Sequence, residues 1–215
     1  MLEKILETLR TPHALGEPDF ADARYKRIAF SEKNFHEIVQ AQEAKETKAK
    51  KVCFVDGGNN EVIKTPSLSV QLVKAYANAY NGRQKMRESV FTQFLSVTRM
   101  TSDDSQIFLE TQNHLLHGSE QLVPTKAFRL NSLDSSLALN GFRASVSTGG
   151  VVARRYSEWL AASAISQAIT GEKIVVRDGT LQTSVVGESE YARDAYEKIS
   201  ANGGTCTALS KTSEL

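Results

Sequence analysis

Only two cysteines, Cys53 and Cys206, stand among the 215 residues, too few for a disulfide scaffold. Each lies inside an apolar, strand-like run with no partner at metal-ligand spacing, so both are expected to be buried free thiols. With four prolines and 13 glycines the chain is not collagen-like, and 40% apolar residues argue against wholesale disorder. An excess of one charge is missing too: 26 Lys+Arg against 25 Asp+Glu leave a net +1, which promises no particular partner. No run reaches the ~18 to 20 apolar residues that a bilayer-spanning helix needs. The N-terminal MLEKILETLR reads as a charged amphipathic helix without the apolar core of a signal peptide. The expected location is cytoplasmic, away from membranes.

Several catalytic signatures are absent as well. Gly149-Gly150 lacks the Lys-Ser/Thr of a P-loop, no GxGxxG follows a strand, and no Ser stands in a GxSxG setting. These absences disfavour nucleotide-driven motors, Rossmann dehydrogenases and esterases. His114 and His117 have the i, i+3 spacing of two imidazoles on a helix, but no HExxH-like acid accompanies them, which disfavours a zinc site.

What is present is a change of character at Lys51. Residues 1–50 hold a short helix, a Pro/Gly-containing stretch from Thr11 to Pro18 and a second helical pattern ending in EAKETKAKK, and are expected to form a helical appendage. VCFVD then reads as a buried strand closed by the turn-rich Asp56-Gly57-Gly58-Asn59-Asn60. Further strands are expected in EVIKT, SLSVQLVKAYANAY, FTQFLSVTRM and SQIFLE, although the second also has helical spacing. A weakly patterned insertion covers about 113–150. VVARRYSEWLAASAISQAI is a long helix stopped at Gly171, KIVVRDGTL a strand, SEYARDAYEKISANGG a helix and TCTALSK a last strand. The order, β-rich and then α-β-α-β, predicts an α/β fold.

Asp56 and Asp178 each end an apolar run and precede glycine. Asp-Gly is also ordinary turn chemistry, but acids at the ends of neighbouring strands can converge. Converged carboxylates favour a hard cation such as Mg²⁺ or Mn²⁺, and two such ions roughly 4 Å apart suit phosphodiester hydrolysis. Glu158, beside Trp159 on the long helix, is the expected third acid, and Glu110, ending SQIFLE, is its rival. Arg154, Arg155 and Lys211 are candidate phosphate contacts, each with an alternative as plain surface charge. Tyr76, Tyr80 and Phe94 stack on bases or pack in the core.

VCFVDGGNNEVIKTPSLSVQLVKAYANAYNG, followed by RRYSEW on a helix, IVVRDGTL and TALSKTSEL, resembles the NurA nuclease family over roughly residues 50–215. The resemblance implies an RNase H-like mixed sheet flanked by helices, with metal-binding and catalytic roles for Asp56, Glu158 and Asp178; Lys211 matches a later basic position. It further implies a manganese-dependent DNA nuclease with 5′→3′ exonuclease and single-strand endonuclease action. Such enzymes are homodimers that act with a hexameric HerA-type helicase in resecting DNA ends for double-strand break repair by homologous recombination. The family continues past the Lys-Thr/Ser segment to a Tyr and a metal-ligating His, whereas this chain ends at Leu215, so a truncated or shortened relative is implied. The rival expectation from another class is a non-catalytic assembly module that binds a helicase or DNA, in which the acids are turn residues.

Overall fold

A computed structural model describes residues 51–138 and 141–209. The chain divides into two units, Met1–Lys45 and Glu46–Leu215, and all the described elements belong to the second. The helical appendage expected over 1–50 lies outside the described residues.

Four long strands come first: β1 (Lys51–Lys64), β2 (Leu68–Asn81), β3 (Gln84–Asp103) and β4 (Gln106–Gly118). A short 3-10 turn (Glu120–Leu122) and β5 (Ala127–Asn131) follow, then α1 (Thr148–Ala168), β6 (Lys173–Asp178), α2 (Glu188–Ala201) and β7 (Gly204–Leu209). All seven strands join one sheet in the order β5-β4-β3-β2-β1-β6-β7. From β5 to β1 each strand is antiparallel to its neighbour, and β6 and β7 run parallel to β1.

The strands form where side chains alternate. Along β2, Ser69, Gln71, Val73, Ala75, Ala77 and Ala79 are buried while the residues between them are more accessible, the period of two that gives a sheet two different faces. The three alanines are small enough for α1 to lie close, with Ala161 and Ala162 in the same buried cluster as Ala77 and Ala79. That cluster also holds Cys53, Val55 and Val175 from the sheet, Trp159 and Ile165 from α1, and Ala192, Ala195 and Ile199 from α2. Both helices therefore cover the same face.

This arrangement corrects the fold expectation. Instead of an RNase H-like sheet flanked by helices, the described residues form a curled seven-stranded mixed sheet with only two helices. The strand content exceeds the expectation for two reasons. The Asp56–Asn60 cluster is not a turn: β1 runs through it to Lys64, each residue of the cluster paired with β2 and the register shifting only between Glu61 and Ile63, because pairing with the antiparallel partner holds Gly and Asn in an extended conformation that they do not favour by themselves. The expected insertion at 113–150 begins inside β4 and contains β5. The polar turn near Asp103 joins β3 to β4, with Asp104 and Ser105 at positive φ, the geometry a two-residue hairpin requires. Among the described residues, no helix is long and apolar enough to cross a membrane.

Candidate functional site

The parallel pairing of β1 with β6 ends with Val55 beside Arg177. One step further along both strands stand Asp56 and Asp178, and adjacent strands are about 4.8 Å apart. Val55 and Arg177 turn toward the helices, so by alternation both aspartates face the other side of the sheet, where no described helix lies. Asp56 Oδ1 accepts from the Gly57 amide at 2.7 Å and Oδ2 from the Tyr76 hydroxyl at 2.9 Å. Tyr76 is the residue opposite Asp56 on β2. The hydrogen bond to Asp56 comes first among the causes that raise the pKa of this phenol, followed by partial burial and the charges of Asp56 and Asp178. Tyr76 thus stays a proton donor beside two carboxylates.

The same face carries Phe54 and Tyr80, edge to face at 5.8 Å, and the exposed Lys74. Phe54 is 43% and Tyr76 38% exposed. Phe94, by contrast, is fully buried on the helix side and belongs to the core.

Glu158 lies on the opposite side of the sheet from the aspartates. It is buried on α1, with Oε1 accepting from Arg154 Nη1 at 2.5 Å and Oε2 from Arg177 Nη2 at 2.7 Å. Burial pushes its pKa up, against the two guanidinium groups that pull it down. Arg154 also donates to the Gly57 carbonyl at 3.2 Å. A Cβ on Gly57 would stand 2.7 Å from Glu158 Oε1, so glycine at this position is what lets the carboxylate rest on the strand backbone.

Arg155 turns inward as well. Its Nε donates to both oxygens of Glu188 at 3.1 Å and its Nη2 to Oε2 at 2.9 Å. Glu188 is fully buried, also accepts from Trp159 Nε1 at 2.9 Å, and reaches back to the Ser184 and Val185 amides. Burial acts to raise its pKa, yet these donors outweigh it and hold the carboxyl below the usual range. Sequence reasoning missed Glu188 and Arg177. The legible signal for the first was an acid in the opening turn of a helix, positioned to cap it; for the second, a cation directly before an Asp-Gly.

Glu110 is exposed on β4 and pairs with Arg129 at 3.4 Å. Three strand spacings separate β4 from β1, about 14 Å, so the fold does not bring Glu110 to Asp56. Lys211 lies outside the described residues. His114 and His117 are on a strand rather than a helix, and the His117 ring meets Phe91 edge-on at 5.8 Å. Cys53 and Cys206 are free thiols, and burial raises the pKa of each, that of Cys206 to about 11. Among the described residues, no group of three or more His, Cys, Asp or Glu side chains is arranged to hold a metal ion. The fold thus brings Asp56 and Asp178 together with Tyr76, and sets Glu158, Arg154 and Arg177 behind them.

No protein-family model, curated protein or solved structure matches the chain.

Proposed function

We infer that Asp56 and Asp178 form the acidic centre of a metal-dependent DNA nuclease. The observation that carries this reading is their occupation of neighbouring positions on parallel strands, on a face free of described helices. Two carboxylates so close repel each other, and an all-oxygen donor pair suits Mn²⁺ or Mg²⁺. The residues fit such an ion at Asp56 and Asp178; Glu158 has both oxygens engaged by arginines and is not needed as a ligand. When bound, the cation supplies neutralising charge for a phosphodiester at a site that is otherwise negative.

The chain's own groups do the rest. Tyr76 orients the Asp56 carboxylate through its hydroxyl, Lys74 offers an exposed cation to phosphate, and Phe54 with Tyr76 offers aromatic surface to unpaired bases. Water adds to phosphorus, the bridging P–O bond breaks, and the leaving oxygen takes up a proton. The resemblance to NurA nucleases supports DNA as substrate, end resection with a HerA-type helicase as the setting and a homodimer as the assembly.

The engagement of Glu158 by two arginines favours a second reading, a non-catalytic module that docks a helicase or DNA. Labelled single-stranded DNA, incubated with Mn²⁺ and the wild-type chain, Asp56→Asn or Asp178→Asn, separates the two. The nuclease reading expects cleavage that both substitutions abolish. Cleavage surviving in both variants refutes it, and DNA retention without any cleavage favours the docking module.

A further inference from the structure

A continuous connection runs behind the acid pair. It passes from Gly57, next to Asp56, through its carbonyl to Arg154 at 3.2 Å, from Arg154 to Glu158 at 2.5 Å, and from Glu158 to Arg177 at 2.7 Å. Arg177 is next to Asp178. One carboxylate on α1 therefore ties the backbone of β1 to a side chain of β6 directly beneath the two aspartates. The backbone pairing of β1 with β6 stops at Val55 and Arg177, so at the level of the aspartates these side chains take over from the ladder.

The geometry points to Glu158 as a positioning residue that sets the separation of Asp56 and Asp178 from the far side of the sheet. This rests on the metal-binding reading of the acid pair. Glu158 is 2% exposed and Arg177 is equally buried, so neither side chain swings freely and the clamp holds one geometry. Groups hydrogen-bonded directly to metal ligands change metal affinity by roughly 10- to 100-fold when lost; this clamp acts one residue further out, so the lower end of that range is expected.

The sign of one substitution separates positioning from direct ligation. Mn²⁺ affinity of the full chain is measured by calorimetry for the wild type, Glu158→Gln, Arg154→Met, Arg177→Met and Asp56→Asn, with circular dichroism confirming the fold. Positioning predicts that Arg154→Met weakens Mn²⁺ binding by roughly tenfold, as Glu158→Gln does, although Arg154 cannot ligate a cation. Direct ligation by Glu158 predicts the reverse, because removing a neighbouring guanidinium frees a carboxylate oxygen and tightens binding. Tighter or unchanged binding in Arg154→Met, with binding still dependent on Asp56, overturns the positioning role alone. Absence of Mn²⁺ binding in the wild type, or binding indifferent to Asp56→Asn, overturns the metal reading and the clamp with it. Arg154 is partly exposed, so its variant serves if Arg177→Met does not fold.

Discussion

Replacing Gly57 by alanine tests the packing on which the site depends. The added methyl would stand 2.7 Å from Glu158 Oε1, 2.9 Å from its Cγ and 3.2 Å from Arg154 Cγ. Glu158 cannot retreat without leaving Arg154 or Arg177. Overpacking of this kind costs about 1–3 kcal/mol, and a weakened charged hydrogen bond costs about 1.5–3 kcal/mol if fully lost. A loss of about 2–4 kcal/mol is expected, which for a domain of this size lowers Tm by about 5–15 °C. Gly58 supplies the control. Its Cβ would meet nothing within 4 Å, so Gly58→Ala is expected to stay within about 0.5 kcal/mol of the wild type. Thermal and urea unfolding followed by circular dichroism read both. If Gly57→Ala melts with the wild type, Glu158 does not rest on β1 and the account of the clamp is wrong; equal losses at both positions would instead indicate a backbone effect.

Three more outcomes follow from the buried charges and the phenol. Lys173 is buried and donates to the carbonyls of Ile169 and Asn202, the C-cap residues directly after α1 and α2; Lys173→Met is expected to cost about 2–4 kcal/mol in urea unfolding, since two carbonyls lose a charged donor. Glu188→Gln strips the counter-charge from Arg155 and is expected to cost about 3–5 kcal/mol at neutral pH. Because the folded state holds the Glu188 carboxyl below its ordinary range, its contribution is present above the unfolded pKa of about 4.3 and lost as pH falls through the lower folded value; the variant's urea midpoint should fall less than the wild type's on acidification. The Tyr76 pKa is raised, so its contribution is full below the unfolded value of about 10 and is lost as pH rises through the folded one. Ultraviolet difference titration of the wild type against Tyr76→Phe should show this phenol ionising above the ordinary tyrosine value of about 10, and ionisation at the ordinary pH would remove the Asp56 contact from the account.

The local vocabulary of the fold was legible. Strand formers in VCFVD and KIVVRD, the Ala-rich run after Glu158 and the glycine after α2 report backbone preferences that act over a few residues. The length of β1 was not, because Gly57, Gly58, Asn59 and Asn60 are turn residues by propensity and were drawn into a strand by the pairing of β2 along them. Arg154 and Arg155 read as candidate phosphate contacts or surface charge, yet they reach buried Glu158 and Glu188 in different directions, which the one-residue step around a helix allows. The absence of a described helix on the aspartate face was equally hidden, since it depends on which side of the sheet both helices take.

From its sequence alone this chain had two aspartates at strand-glycine junctions, glutamates with the chemistry to join them, and an alternation of helices and strands in its second half. Those features follow from the covalent order of residues and short-range preferences. Only the tertiary structure decided that Asp56 and Asp178 stand side by side while Glu158 sits beneath them, held by arginines. The physical reason is that a strand sends successive side chains to opposite faces, so the register of β1 against β6 selects which acids meet, and register is a property of paired strands.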